Sequence, residues 1–351
     1  MPQASGAHRN IQIPPGSMTR FSLLLVVLLL SACAEQAITS EQDAPTPEPE
    51  FTITAENGHN KWSNTFEPVL TVDSGAIIEA HLVEASGGHV TRETVAEDLP
   101  GILAIGPFHA LTGPVAVNGA EPGDVLAVTL HEIEVQEWGW SAVFPGFGFL
   151  ADEFTEPYIR IFEFEEGQTE VDYGYGITIP FRPFPGVMGV APDTDELLST
   201  VPPRHNGGNM DDRDMAEGTT TYFPVLVEGG MFSIGDPHVA QGDGEISGTA
   251  IEGDLRVVYE IELIKNGRDM PSPQYESDTH YSVTGYGVTI DDAAKMATRA
   301  MLDYIVDETG MDRTEAYVLA SLAADLKIAE VVDVPHMLVT MRIDKGLLNG
   351  E

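Results

Sequence analysis

Short β-rich runs cut by turn residues are the feature that most narrows what this chain can fold into. PVLTV (68–72), AIIEAHLVEA (76–85), PVAV (114–117), DVLAVTLHEIEV (124–135), TYFPVLV (221–227) and LRVVYEIELI (255–264) recur between clusters of Gly, Pro and Asp. The 351 residues include 35 Gly and 24 Pro. Glycine permits positive φ in tight turns, and proline removes a ladder donor, so both punctuate strands. Many short strands at such spacing predict a sandwich or barrel. The near-continuous apolarity of Val125, Leu126, Ala127 and Val128 predicts a strand covered on both faces.

The period changes toward the C-terminus. Residues 291–309 read as a helix that starts at an Asp pair and ends at Gly310, with Ala294, Ala297, Met301 and Ile305 on one face. Residues 312–330 read as a second helix, with Asp312 or Thr314 as N-cap, Glu315 in capping reach and a stripe of Ala316, Leu319, Leu322 and Leu326. A strand over 336–343 completes the unit. The expected fold is therefore mainly β with an α+β C-terminal part. Its parts are an N-terminal β region (51–165), a second β region (166–270) and the α+β region (271–351).

The N-terminus reads differently. Residues 21–30 (FSLLLVVLLL) are apolar, follow Arg20 and precede Ser31-Ala32-Cys33. A permanent membrane helix needs about 20 such residues, so this run predicts a secretory signal over 1–33, with Met18 as the start. Leu30-Ser31-Ala32-Cys33 fits a lipobox. Cys33, the single cysteine, is then the acylated N-terminus that anchors the chain to a bilayer of the bacterial envelope, on its periplasmic or outer-membrane face. Residues 34–50, acidic and Pro-rich, predict a disordered tether. One cysteine excludes a disulfide framework, a four-cysteine zinc site and an iron–sulfur cluster. With 17 Lys+Arg against 56 Asp+Glu, the net charge of −39 excludes nucleic acid as a partner. Such acidity suits hard cations, or simply a salty habitat.

No G-x-S-x-G elbow, H-E-x-x-H, P-loop or dinucleotide fingerprint occurs. What remains is a cluster of His and carboxylates within 202–254. Asp236 and His238 flank Pro237, and in an extended strand residues two apart share a face. Asp211 follows the Gly207-Gly208-Asn209 turn, and Gln241, Asp243 and Glu245 add oxygen donors. Imidazole plus carboxylate suits Zn²⁺, whereas an all-oxygen set suits Ca²⁺ or Mg²⁺. A divalent ion held there would lower the pKa of its water and supply hydroxide at neutral pH. The run 210–217 (MDDRDMAE) reads as a solvated turn beyond Asp211. The aromatic stretch from Trp138 and Trp140 to 144–149 (FPGFGF) reads as a pocket lining, an oligomer contact or plain packing.

Several long blocks, in order, carry a resemblance. They are HNKW (59–62), HALTGPVAVNGAEPGDVLAV (109–128), FPGVMGVAP (184–192), PPRHNGGNMD (202–211), YFPVLVEGGMFSIGDPHVAQGDGEISGTAIE (222–252) and DLKIAEVVDVPHMLVTMRIDK (325–345). From about residue 55 to 345 the chain resembles the acetamidase/formamidase family. The resemblance implies a jelly-roll-like β-sandwich, a second β region and an α+β C-terminal part. It implies hydrolysis of small amides such as formamide and acetamide, at a linear C–N bond, to acid and ammonia. The matching positions are His59, His109, Asp211, Asp236 and His238, with Glu79 in the strand after PVLTVDSG. The expected site is a metal on Asp236, His238 and one or more of His59, His109 and Asp211. Glu79 or Glu252 would move the proton, and Gly207, Gly208 and Asn209 would offer oxyanion donors. Arg204 would orient a substrate carboxylate or join a salt bridge. The lipoprotein signal and the acidity depart from the family. A non-catalytic ligand- or Ca²⁺-binding lipoprotein on the same scaffold is the alternative, and a homo-oligomer is compatible with either.

Overall fold

Alternating burial runs along the strand Ala76–Leu82. Ala76, Ile78, Ala80 and Leu82 are buried, while Ile77, Glu79 and His81 lie on the more open face. This two-residue period matches the pleat of a strand with one face on a core. The computed structural model describes residues 46–106 and 108–349. The lipobox, Cys33 and most of the tether lie outside the described residues. No helix among the described residues is long and apolar enough to cross a membrane.

In chain order the elements are β1 (Phe51–Thr54), β2 (Leu70–Val72), β3 (Ala76–Leu82), α1 (Leu99–Ile105), β4 (Leu111–Val117), β5 (Val125–Val135), β6 (Trp138–Val143) and β7 (Tyr158–Glu163). Then come β8 (Glu170–Gly174), β9 (Ile177–Pro180), β10 (Phe184–Gly189), β11 (Gly207–Asn209), β12 (Thr220–Pro224), β13 (Phe232–Ala240), β14 (Ile251–Glu252) and β15 (Leu255–Ile264). The last are β16 (Gln274–Glu276), β17 (His280–Gly287), α2 (Ile290–Thr309), α3 (Arg313–Ala323), β18 (Ala324–Glu330), β19 (Met337–Asp344) and α4 (Lys345–Asn349).

One nine-stranded sheet has the order β1-β3-β15-β5-β12-β16-β17-β19-β18. A second, eight-stranded sheet runs β11-β10-β13-β14-β6-β7, with β4 on β13 and β2 on β4. Strands of the first sheet come from all three stretches of the chain. The two sheets share a core: Ile78, Leu126, Val257 and Tyr259 from the first meet Val115, Met188, Phe232 and Ile234 from the second. Phe232 stands at the seam, with ring centroids 5.4 Å from Phe223 and 5.5 Å from Tyr259. Val125, Leu126, Ala127 and Val128 are all buried, as their continuous apolarity predicts.

The C-terminal half of the first sheet is covered by α2, whose Ala297, Met301 and Ile305 join Val283, Val339 and Met341 of β17 and β19. Thr289 caps α2 by accepting from the Asp292 N–H, and Gly310 closes it at φ 70°. The helix lies close to the strand at Gly285: a Cβ there would fall 2.4 Å from the Ala293 carbonyl oxygen. The second predicted helix is shorter than the apolar spacing suggests. It ends at Ala323, and Ala324–Glu330 is a strand that pairs with β19. Asp312 is its N-cap, accepting from the Thr314 N–H. The expected stripe breaks with the helix: Ala316 is buried, while Leu322 and Leu326 are exposed. Pairing with β19 sets six residues of this segment opposite sheet partners that a helical extension would have turned away from.

Candidate active site

β13 is buried along its whole length because sheet neighbours flank it, β10 on one side and β4 and β14 on the other. Burying Asp236 and His238 in such a strand is costly unless something compensates their polarity. Asp236 adopts φ 54°, so the backbone is not extended at that residue, as a simple two-residue period would require. The turn still brings Asp236 Oδ2 to 3.4 Å from His238 Nε2. Asp211 (φ 41°) is held by its neighbour strand, where the Met210 and Asp211 N–H groups both donate to the Gly186 carbonyl oxygen at 3.0 and 3.2 Å.

Gly186, on β10, makes the convergence sterically feasible. A Cβ there would lie 2.4 Å from Asp211 Oδ1, 2.9 Å from Asp236 Oδ2 and 2.9 Å from His238 Cε1. Gln241 fixes the imidazole. Its Nε2 donates to the Asp211 carbonyl oxygen at 2.7 Å, which turns Oε1 toward His238 Nδ1 at 2.8 Å. Nδ1–H is therefore the donor, and Nε2 faces Asp236 and Glu252, the latter at 3.3 Å.

Three overlapping triads result, each with ligand atoms within 4.8 Å of one another: Asp211–Asp236–His238, His238–Glu245–Glu252 and Asp211–Glu245–Asp333. All six residues are buried. His109 joins them, its Nε2 3.8 Å from Asp236 Oδ2. Both carboxylate oxygens of Asp211, Asp236 Oδ1, Glu252 Oε2, His109 Nδ1 and Asn209 Oδ1 are buried without a hydrogen-bond partner. So many unpaired oxygen and nitrogen donors around one point fit a divalent cation. The electrostatics agree. Burial, with Asp211 close by, holds the Glu245 carboxyl well above its usual range, and burial also raises Asp211 and Asp333. Burial opposes the charged form of His238, but the Glu252 and Asp236 carboxylates outweigh it and push the imidazole up.

The site opens into a cavity of about 270 Å³. Its lining includes His109, Asn209, Asp211, Asp236, His238, Glu245, Glu252 and Asp333, with Phe108, Trp140, Phe144 and Phe147 opposite them in chemistry. A wider cleft of about 470 Å³ beside Tyr281 and Tyr304 holds no histidine and none of the triads.

Of the residues expected from the sequence, the fold brings together His109, Asp211, Asp236, His238, Glu252 and Asn209. It sets others apart. His59 Nδ1 donates to the Lys61 carbonyl oxygen at 2.6 Å, and its Nε2 accepts from Ser233 Oγ at 2.8 Å. With both nitrogens engaged and the ring against Phe66, His59 braces a chain crossing and has no lone pair for an ion. Glu79 pairs with Arg256 at 2.7 Å and His81 at 2.9 Å on the open face of β3, away from the cavity. Gly207 and Gly208 pair with Gly189 and Met188 instead of lining the cavity; a Cβ on Gly207 would fall 2.5 Å from the Met188 carbonyl oxygen. Arg204 donates to the Ser199 and Pro202 carbonyl oxygens and is absent from the cavity lining. Run 210–217 is not a solvated turn: Met210, Asp212 and Met215 are buried, and Asp212 accepts from Tyr275 OH, Thr340 Oγ1 and Lys327 Nζ.

Two groups escaped the sequence reading. Asp333 reaches the site because Gly244 bridges Glu330, which draws the C-terminal segment across; its Oδ2 accepts from Asn209 Nδ2 at 2.6 Å. Glu330 stands behind it, taking the N–H groups of Val332 and Asp333, and burial pushes its carboxyl up to about 8. The only local signal was an acid inside an otherwise apolar tail.

With this geometry in view, the comparisons are decisive. The model of the Acetamidase/Formamidase family matches residues 47–199 and 194–349. The chain belongs to that family. It is accordingly an amidase, a hydrolase of linear amides. The acetamidase of Mycolicibacterium smegmatis is 30% identical over 273 residues, covering 60% of this chain and 67% of the relative. The formamidase of Methylophilus methylotrophus is 25% identical over 360 residues, covering 81% of this chain and 88% of the relative. The crystal structure of an acetamidase from Bacillus halodurans superposes with a TM-score of 0.79 at 29% identity, covering 85% of this chain and 99% of that one.

Two expectations follow. Gly186→Ala should leave the circular dichroism spectrum intact yet lower the amidase kcat/KM at least about 100-fold, because the methyl group displaces Asp211 and Asp236; near-normal turnover would contradict the crowding at Gly186. The second concerns His59, which burial pushes down to about 4, against the opposing bond to Lys61. Its folded value lies below the unfolded one, so its contribution is present above about pH 6.5 and is lost as pH falls toward 4, by up to about 3 kcal/mol. The loss of Tm between pH 7 and pH 4.5 should shrink in His59→Gln, and an equal loss in both proteins would refute this.

Proposed function

We propose that this amidase is metal-dependent. Asp211, Asp236 and His238, with His109 beside them, hold the cation, and the mixed imidazole–carboxylate set favours zinc. The all-oxygen triad Asp211–Glu245–Asp333 suits a harder ion such as Ca²⁺ or Mg²⁺. The observation that carries the reading is the set of buried, unpartnered donor atoms on these residues. Bound there, a divalent cation supplies Lewis acidity to the amide carbonyl and lowers the pKa of water.

The chain's own groups do the rest. Asn209 gives its Nδ2 to Asp333, which leaves the unpartnered Oδ1 to accept an N–H of the substrate amide. Glu252 is anchored through Oε1 by the Ala250 N–H at 2.8 Å, and its free Oε2 faces the cavity cluster. It takes a proton from the attacking water and delivers it to the departing nitrogen. Water adds to the carbonyl carbon, the C–N bond breaks, and acid and ammonia leave. Glu79, being outside the cavity, has no part in this. Formamide and acetamide are the reference substrates, after the relatives' names. Family membership favours the enzyme over a non-catalytic binding lipoprotein. We also assign the protein to the bacterial envelope, anchored through acylated Cys33 with the acidic tether between lipid and enzyme.

Dialysis against a strong chelator should remove the metal, measured by mass spectrometry, together with ammonia release from an amide, and Zn²⁺ should restore both. His238→Ala should bind no metal and stay inactive while keeping its fold. Full turnover by metal-free protein would reject the metal dependence. In a bacterial host, the full chain should sediment with membranes and Cys33→Ala should not; a soluble wild type would reject the anchor.

A further inference from the structure

The cavity is larger and more apolar than formamide or acetamide requires. At about 270 Å³ it has room for several water-sized groups beyond a small amide, since a water takes ~30 Å³ of liquid. Its two walls differ in origin. The polar one comes from β13, β14 and the segments beside them. The apolar one comes from a separate cluster that includes Trp140, Phe144, Phe108 and Phe147, with Leu103 of α1 at the rim. This second wall is rigid before any ligand arrives. Trp140 stands edge-on to Phe144 at 6.1 Å, and Phe108 edge-on to Phe144 at 6.0 Å. Trp140 Nε1 donates to buried Glu84 at 2.9 Å, so the indole's one polar atom is satisfied. Gly248 leaves the room Phe147 needs, because a Cβ there would lie 2.5 Å from the Phe147 ring.

The apolar surface also continues outward. A groove of about 210 Å³ shares Phe147 and is lined by Phe149, Leu150, Phe154 and Ile246, all four exposed. No Lys or Arg is among the residues lining either space, and the cavity carries several carboxylates. On the apolar wall an anionic acyl group would find no Lys or Arg to pair with, and burying it there unpaired is costly.

From this we infer that the site is built for primary amides whose acyl group is a medium-sized hydrocarbon, aromatic or aliphatic, rather than hydrogen or methyl. The inference rests on the amidase reading above and specifies its substrate class. The reactive amide meets the carboxylate–imidazole wall, and the acyl group lies against Phe108, Trp140, Phe144 and Phe147. Phe147, shared with the outer groove, is where longer chains would pass.

The test measures kcat/KM of the purified, metal-replete enzyme on formamide, acetamide, hexanamide, benzamide and phenylacetamide. At about fourfold for each buried methylene, hexanamide should exceed acetamide by at least about 30-fold. Benzamide should exceed it comparably. In Phe108→Ala and Phe147→Ala, with thermal melts confirming the fold, the benzamide-to-acetamide ratio should fall at least fivefold in each. A preference for formamide or acetamide, or an unchanged ratio in both variants, overturns the inference. Failure of every amide to react would instead strike the amidase reading. Calorimetry would then still decide the pocket: tighter binding of benzamide than acetamide, weakened in either variant, sustains it, and equal binding overturns it.

Discussion

Five carboxylates crowd a buried pocket with two imidazoles, and no Lys or Arg lines it. Like charges at such separations in a medium of low dielectric constant repel strongly. A cluster of this kind persists only where the surrounding structure over-determines it. Asp211 and Asp212, adjacent in sequence and both buried, show the contrast. Asp212 points to Lys327, Tyr275 and Thr340 and is fully satisfied. Asp211 points the other way, and both its oxygens are unpartnered. One stabilises the join between the sheets and the C-terminal segment, and the other contributes to the reactive centre.

The rigidity comes from β10 and β13, packed inside the second sheet. Backbone bonds to Gly186 seat Asp211, Gln241 ties His238 to the Asp211 carbonyl, and the Gly244–Glu330 bridge brings in Asp333. Positive φ at His109, Asp211, Asp236 and Glu245 concentrates backbone strain in one place. Strain of order 1–3 kcal/mol per residue is tolerated where surrounding bonds hold the chain, as β13 holds Asp236 and the Gly186 and Ala85 carbonyl oxygens hold Asp211 and His109. The apolar wall serves a complementary purpose: it keeps water away from the polar groups and strengthens their fields.

Local chemistry was readable in advance. The Asp-Pro-His spacing, the acid after a Gly-Gly-Asn turn and the long β runs were all visible, and they mark half of the cluster. His109 came forward with the resemblance and Glu252 as a candidate proton carrier, and both reach the cavity. His59 and Glu79 came forward with them and do not. Nothing local distinguishes these cases. A histidine beside a Trp serves equally as ligand or brace, and what decides is whether Ser233 and Lys61 stand next to its nitrogens. Similarly, 312–330 has helical spacing throughout, yet the hydrogen bonds of β19 claim its second half as a strand.

The amino-acid order by itself determined a β-rich chain, two C-terminal helices with their caps, an acidic surface and the residue types able to hold a cation. Those are short-range properties, set by side-chain periodicity, turn preference and charge count. Which carboxylates meet, which way Asp211 and Asp212 face, and how Trp140 and three phenylalanines come to wall the same cavity were decided only by the tertiary structure. Pairing between strands more than 100 residues apart is chosen by the packing of the whole core, and no local pattern encodes it.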